Sequence, residues 1–235
     1  EFNLEPAKVA AFLAALEEAY EPNPYHNAAH AADVLQATHV LLSHGLGQRL
    51  SQLEVLAVLV AAMCHDVGHP GVTNDFRVRV RDEAAVTYND KSVNENWHAA
   101  LSSRIMFREE CDFLSALSRK QADSLRRLFV EVVINTDMAH HFANLQKFNT
   151  MVEANGEDIT QWDDPVPALA ELVHAADISN VTRRLDLSLR WGDKVIKEFC
   201  AQGDRERELG LPISPLCDRH TVDKPKAQLG FANFV

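Results

Sequence analysis

Three short segments of the sequence combine histidine and aspartate at spacings that suit a hydrolytic metal site. They are His26-Asn27-Ala28-Ala29-His30, His65-Asp66-Val67-Gly68-His69 and His174-Ala175-Ala176-Asp177. Imidazole suits zinc and similar borderline ions, whereas carboxylate and water suit magnesium or manganese. A mixed set with room for water favours a catalytic centre over a structural metal site, and the first hypothesis is a hydrolase that acts at phosphorus.

Each segment by itself is weak evidence. Two histidines four residues apart share a helix face by geometry alone, and an isolated histidine is more often a hydrogen-bonded core or surface residue. The functional interpretation depends on the presence of all three segments in one chain, where they supply His30, His65-Asp66 and Asp177 together.

Two imidazoles and two carboxylates can hold one cation, and a carboxylate such as Asp66 can also bridge to a second. Two metal ions about 3.5–4 Å apart would turn a bridging water into hydroxide and clamp the phosphoryl oxygens for in-line attack. The leaving alkoxide then needs a proton. His26, one helical turn from His30, is the natural general acid for that step.

The periodicity of apolar residues predicts helices that carry these side chains. A helix over 6–20 is followed by one from about Ala29 to a terminating Gly45, which places His30 in a first turn. The segment 53–64 is apolar on nearly all sides and predicts a buried helix. Gly68, Pro70 and Gly71 then turn the chain, so that His65 and Asp66 emerge from the core into a cavity.

Later segments also predict helices. Ser118 to Gln121 is a capping box before a helix that ends near Thr136-Asp137, and Asp164-Pro165 begins a helix that leads to Asp177. Another helix spans 187–199 and ends before Gly203. No convincing pair of alternating strands occurs, so we predict an all-α, non-bundle fold and a single domain over 1–235.

Composition excludes several classes of protein. The 34 acidic and 23 basic residues give a formal charge of -11, which argues against a nucleic-acid surface. The four cysteines lack metal-ribbon or disulfide spacing, which fits a reducing, cytoplasmic setting. The longest apolar run is too short to cross a bilayer, so we expect no membrane segment in this chain.

The motifs of this sequence resemble those of the class I cyclic-nucleotide phosphodiesterases, a branch of the HD-domain metal phosphohydrolases. The similarity covers most of the chain in the order of the family's motifs. It lies in segments 25–34, 64–71, 94–96, 136–138, 174–180, 203–206, 213–218 and 228–231.

The resemblance implies an all-helical catalytic domain that hydrolyses the 3',5'-cyclic phosphodiester of a purine nucleotide to the 5'-monophosphate. It implies two divalent metal ions, zinc at the first site and magnesium or manganese at the second. The first-metal ligands carried over by position are His30, His65, Asp66 and Asp177. Asp66 would also reach the second metal, whose water shell would be held by His69, Glu95 and Thr136. Glu95 could equally be a carboxylate at a helix N-terminus.

The resemblance also assigns the remaining site residues. His26 becomes the proton donor to the 3' oxygen, and Glu206 would orient its imidazole, although an exposed glutamate in a charged loop is an equally fair interpretation. The substrate-binding residues are Tyr25, His26, Asn180, Val195, Phe199, Gln228 and Phe231. Gln228 would meet the purine edge and Phe231 would stack on one ring face. Val195 and Phe199 are also spaced as ordinary helix core.

Two positions depart from the family pattern: Val181 stands where proline is common in cAMP-selective members, and Trp97 stands where histidine is common. The chain also resembles a catalytic domain truncated at both ends, with regulatory domains outside it. Segment 203–218 is most like that of cAMP-acting members, so cAMP is the expected substrate. Because a glutamine amide can rotate, Gln228 alone does not exclude cGMP.

Two other functions stay open. The metal set alone also suits an HD-type phosphohydrolase acting on a linear nucleotide, against which the pair Gln228 and Phe231 argues. A non-catalytic cyclic-nucleotide-sensing module would not need a proton donor together with a full ligand set.

Overall fold

Eleven α-helices make up most of the regular structure in the computed structural model, which describes residues 2–44 and 46–235. In chain order they are α1 (Pro6–Glu18), α2 (Ala28–Ser43), α3 (Gln52–Cys64), α4 (Asn74–Val80), α5 (Glu83–Thr87), α6 (Val93–Met106), α7 (Arg119–Ile134), α8 (His141–Asn155), α9 (Val166–Asp177), α10 (Leu185–Glu208) and α11 (Lys224–Phe234). Short 3-10 turns join several of them, and the described residues contain no strand, so the predicted all-α class is confirmed. Within the described ranges, no helix is both long and apolar enough to span a membrane.

Helix α3 lies at the centre of the fold, packed against α2, α7 and α9. Val58 and Val60 are fully buried, and burying a side chain of this kind contributes roughly 1.5–3 kcal/mol. Ser51 and Glu54 form a capping box that starts the helix. The helix ends at Cys64, so His65 and Asp66 leave its C-terminal end directly from the core, as predicted.

Apart from the helix predicted over 187–199, the other predicted helices are present with bounds close to those expected. Helix α2 begins after Asn27, whose side chain accepts from the backbone N–H groups of Ala29 and His30. Its predicted end at Gly45 lies outside the described residues. The capping box at Ser118 is formed. Asp164 accepts from the backbone N–H of Val166 at the start of α9.

The prediction that a helix ends before Gly203 was wrong, because α10 continues to Glu208. Gly203 serves a different purpose there. A Cβ atom at this position would lie 2.0 Å from the backbone carbonyl oxygen of Cys217, so glycine allows the 211–223 loop to approach the helix. The periodicity also fails to predict α4, α5, α6, α8 and α11, which are short or lack a one-sided apolar stripe.

Candidate active site

The four predicted first-metal ligands converge although they come from three different helices. His30 lies in the first turn of α2, His65 and Asp66 follow α3, and Asp177 is the last residue of α9. One ligand atom from each lies within 4.8 Å of all the others. Asp177 Oδ1 is 2.9 Å from His30 Nε2 and 3.3 Å from His65 Nε2. Asp66 Oδ2 is 3.4 Å and 3.1 Å from the same two nitrogens.

The hydrogen bonds around the cluster leave its nitrogens suited to a cation. The Nδ1–H of His65 donates to the carbonyl of Ala62 at 3.0 Å, so in the neutral ring the lone pair is on Nε2 and faces the cluster. The Nε2 atoms of His30 and His65 are 3.3 Å apart. Two buried imidazoles and two carboxylates in this arrangement fit a divalent ion of the zinc type.

The charges within the cluster are strongly coupled. Burial alone would lower the pKa of His30, but its hydrogen bonds with Asp177 and Asp66 outweigh burial and raise that pKa. Burial would likewise lower the pKa of His65, but the charges of Asp66 and Asp177 outweigh burial and raise that pKa. Burial would raise the pKa of Asp177, yet His65 and His30 lower it. Burial would also raise the pKa of Asp66, yet the charge of His65 outweighs burial and lowers it, so both carboxylates are held as anions.

Of the three residues expected around a second metal, His69 and Glu95 lie close enough to Asp66 for its charge to affect their pKa values. His69 is buried, and its Nδ1 accepts from the backbone N–H of Gly71 at 3.0 Å, which leaves Nε2 as the donor of the neutral ring. Burial, together with the charge of Asp137, raises the pKa of Glu95 to about 7, and that carboxyl also senses the charge of Asp66. Thr136 is buried, and its hydroxyl donates to the carbonyl of Val133.

His26 is oriented by Glu198, not by the predicted Glu206. The Nδ1–H of His26 donates to Oε1 of Glu198, and Oε2 of Glu198 accepts from the backbone N–H groups of Tyr25 at 2.8 Å and His26 at 3.0 Å. Burial would raise the pKa of Glu198, but its bond with His26 lowers it. The other ring nitrogen of His26 is left for a ligand, and the ring stacks on His69 with centroids 3.9 Å apart.

Glu206 is two helical turns further along α10 and serves as a structural anchor. It accepts from the backbone N–H and the hydroxyl of Ser214 at 2.7 and 2.6 Å, and from Gln202 at 3.0 Å. Arg79 Nη2 pairs with it at 2.5 Å. The interpretation as an exposed loop glutamate was also wrong, because Glu206 is fully buried.

Sequence reasoning missed Glu198 because a glutamate on a mostly polar helix face carries no motif of its own. It also missed His98, which is buried on α6. The Nδ1–H of His98 donates to the carbonyl of Val67 at 2.8 Å, and Nε2, which has no partner among the described residues, lies 3.8 Å from Asp66 Oδ1. The proximity of His98 to the Glu95 motif is the signal that could have identified it.

A cavity of about 190 Å³ opens beside the cluster, and Asp177 belongs to its wall. All seven predicted substrate-binding residues line it: Tyr25, His26, Asn180, Val195, Phe199, Gln228 and Phe231. Val195 and Phe199 come from α10, whereas Gln228 and Phe231 come from α11. The cavity is therefore a largely apolar slot with a few polar groups, one end of which reaches the His/Asp cluster.

The polar groups of the slot are fixed to different degrees. The side-chain amide of Asn180 donates to the Tyr25 hydroxyl at 2.7 Å, which leaves its oxygen available to a ligand. The Tyr25 ring packs edge-on against Trp191, with centroids 5.7 Å apart. Met138, Ile178 and Leu216 also line the slot and were not predicted.

Comparison with known proteins identifies the family. The family model described as 3'5'-cyclic nucleotide phosphodiesterase matches residues 25–235. The chain belongs to this phosphodiesterase family. The resemblance drawn from the motifs is thereby confirmed.

Curated members of the phosphodiesterase family are similar over the whole of this chain. The 3',5'-cyclic-AMP phosphodiesterase 4C of Rattus norvegicus is 42% identical over 242 residues, and the probable 3',5'-cyclic-AMP phosphodiesterase pde-4 of Caenorhabditis elegans is 40% identical over 241 residues. Both alignments include the whole of this chain, but only 45% of the Rattus norvegicus protein and 36% of the Caenorhabditis elegans protein. It thus spans less than half the length of these proteins.

Solved phosphodiesterase domains share the fold. The phosphodiesterase domain of the rhodopsin phosphodiesterase from Salpingoeca rosetta superposes with a TM-score of 0.94 at 33% identity, over 100% of this chain and 72% of that one. A structure of the phosphodiesterase domain of the RhoPDE fusion protein from the same organism gives 0.92 at 33% identity and covers 75% of that chain. These matches confirm the helical architecture that brings the cluster and the slot together.

Proposed function

We propose that this chain hydrolyses the 3',5'-cyclic phosphodiester of cAMP to the 5'-monophosphate, and thereby ends a cyclic-nucleotide signal. The observation that carries the proposal is that Asp177 belongs both to the His/Asp cluster and to the wall of the slot. A nucleotide base held in the slot would have its phosphate directed toward the cluster. Family membership and the cAMP-specific names of the relatives support the same activity.

The cluster would hold the first metal ion through His30, His65, Asp66 and Asp177, with zinc the ion that this ligand set suits best. Asp66 would reach a second ion, magnesium or manganese, whose waters His69, Glu95 and Thr136 would hold. When bound, the two ions supply an activated water and neutralise the charge on the phosphoryl oxygens. Asp66 is assigned to both ions, because each of its two carboxylate oxygens can bind a different ion.

His26 is the proposed proton donor to the leaving 3' oxygen. Its Nδ1–H is bonded to Glu198, so a proton on the other ring nitrogen points away from that carboxylate and is free to be donated. The negative charge of Glu198 stabilises the imidazolium before donation. The backbone N–H groups of Tyr25 and His26 fix the carboxylate in turn.

The purine base would lie between the α10 and α11 walls of the slot. Phe231 would stack on one face, with Val195 and Phe199 on the other. Gln228, and the free oxygen of Asn180, would meet the polar edge of the base.

The cellular location of the protein and its regulatory domains are also proposals. Cys64, Cys111, Cys200 and Cys217 are buried free thiols, which is in keeping with the reducing, cytoplasmic location expected from the sequence. The regulatory domains expected outside this chain stay a prediction, supported by the greater length of the relatives.

Metal content and turnover together test the proposal. The chain should contain bound divalent metal, lose cAMP hydrolysis on chelation and recover it when zinc plus magnesium or manganese is restored. Asp177→Asn should lose the first ion and abolish turnover, whereas Asp123→Asn, at an exposed position on α7, should change neither. Release of phosphate or triphosphate from linear nucleotides without action on cAMP would contradict the proposal. Nucleotide binding without metal or turnover would instead support a sensing module.

A further inference from the structure

The two histidines of the cluster differ in what their second ring nitrogen meets. In both residues Nε2 faces the two aspartates, so a neutral ring that binds an ion through Nε2 carries its proton on Nδ1. His65 donates this Nδ1–H to the carbonyl of Ala62. The Nδ1 of His30 is buried and has no hydrogen-bond partner in the part of the chain that the structure describes. Ligand histidines almost always donate this N–H, so His30 requires a partner of another kind.

Three aromatic rings surround the imidazole of His30. The Tyr25 ring lies nearest, with centroids 4.5 Å apart and the two planes inclined by 33°. Trp191, on α10, meets the imidazole steeply, with centroids 5.9 Å apart and an angle of 71° between the planes. The His26 ring is also 5.9 Å away, at 90°. An aromatic face can accept an N–H, so each of these rings is a candidate partner.

The angles between the rings and their charge select one of the three. An imidazole N–H lies in the plane of its ring, so it points into the face of another ring only when the two planes are steeply inclined. Tyr25, at 33°, does not meet this condition, whereas Trp191 and His26 do. His26 is the proposed proton donor, and the positive charge that it carries before donation repels an N–H. Trp191 has the aromatic face that attracts positive charge best.

We propose that Trp191 is a positioning residue of the metal centre, which accepts the Nδ1–H of His30 on its indole face. The contact takes the place of the carbonyl acceptor that His65 has, and it keeps Nε2 of His30 directed at the aspartates. Helix α10 would then hold a metal ligand through Trp191 and the proton donor His26 through Glu198. This inference rests on the metal site of the proposed function.

The test measures zinc affinity by competition with a chelator, without nucleotide or turnover. Trp191→Leu removes the aromatic face and should weaken binding of the first zinc ion about 10- to 100-fold, the usual effect of removing the partner of a ligand histidine. Trp191→Phe keeps an aromatic face, so its zinc affinity should stay within about threefold of that of the parent chain.

Trp162→Leu is a matched control for the loss of a tryptophan side chain. Trp162 is buried, packs on Phe148 and donates to the carbonyl of Gly156. Removing it should lower the melting temperature but leave zinc affinity unchanged, which distinguishes a general loss of packing from an effect on the ligand. In Trp191→Leu, the rise in melting temperature on addition of zinc should become smaller.

Nuclear magnetic resonance of the zinc-loaded, ¹⁵N-labelled chain reports the contact itself. A proton above an aromatic face is shielded by the ring current, so the Nδ1–H signal of His30 should lie upfield of the signal of His65, whose N–H is bonded to a carbonyl. Trp191→Leu should move the His30 signal downfield and leave the His65 signal in place.

Three results would overturn the inference. They are a zinc affinity in Trp191→Leu within about threefold of the parent value, a loss in Trp162→Leu or Trp191→Phe as large as in Trp191→Leu, and a His30 signal at an ordinary hydrogen-bonded position. The last result would show that a polar group accepts this N–H. A parent chain that binds zinc but does not hydrolyse cAMP contradicts the proposed function alone, whereas a parent chain that binds no zinc contradicts both.

Discussion

The pair Glu198→Gln and Glu206→Gln separates the carboxylate that serves catalysis from the one that serves the fold. Both residues are buried on α10, and both substitutions keep the size of the side chain while removing its charge. Glu198 is bonded to His26 and to two backbone N–H groups. Glu206 holds the 211–223 loop through Ser214 and pairs with Arg79. The first variant should lose rate, and the second should lose stability.

The expected loss in Glu198→Gln follows from the geometry. If the amide oxygen stays with the two backbone N–H groups, the amide N–H₂ faces Nδ1 of His26, which then cannot carry a proton. The imidazolium loses a charge-assisted hydrogen bond of about 1.5–3 kcal/mol. At about 1.4 kcal/mol for each factor of ten, kcat should fall roughly 10- to 100-fold. Metal content should not change, because none of the four cluster residues contacts Glu198 among the described hydrogen bonds.

Removing the charge of Glu206 leaves the Arg79 guanidinium short of a partner. Breaking a buried pair costs about 3–5 kcal/mol, and the lower end applies because Asp75 also pairs with Arg79 at 2.9 Å. For a chain of this size, about 3 kcal/mol lowers the melting temperature by roughly 6–12 °C.

The assay is steady-state cAMP hydrolysis at a temperature well below both melting points, together with thermal unfolding and metal analysis of each variant. Full kcat in Glu198→Gln would refute the role given to that carboxylate. A fall in kcat in Glu206→Gln without loss of stability would restore the original sequence-based assignment.

Three further outcomes are expected. His26→Ala should retain its metal while kcat falls about 10²- to 10⁴-fold, the range for a general acid, and loss of metal on elemental analysis would contradict this role. Phe231→Ala should raise KM for cAMP about 5- to 100-fold, because base stacking on an aromatic ring contributes roughly 1–3 kcal/mol; an unchanged KM would exclude stacking. Burial would raise the pKa of Glu206, but hydrogen bonds from Ser214, Gln202 and Arg79 lower it. Its contribution to stability is therefore present above the ordinary glutamate pKa of about 4.3 and is lost as the pH falls through the lowered value. Denaturant unfolding across this range should show a smaller acid-induced loss in Glu206→Gln than in the parent chain.

Helix prediction succeeded where local physics decides the outcome. The capping box at Ser118 and the apolar segment that became α3 are local features, and both are present in the structure. It failed at Gly203, where a loop distant in sequence requires glycine inside a helix. It also failed for helices such as α6 and α11, whose stability comes from packing on neighbours and not from a strong stripe of their own.

The sequence by itself determined the family, the all-helical class and which side chains form the candidate metal cluster. Motif spacing and helix periodicity depend on residues that are close together in the sequence. Only the tertiary structure decided which glutamate of α10 reaches His26 and that Asp177 belongs to both the cluster and the slot. The physical reason is that hydrogen bonds and contacts form between groups that meet in space. Glu198 and Glu206 have the same chemistry, and packing against Tyr25 or against Arg79 gives each its role.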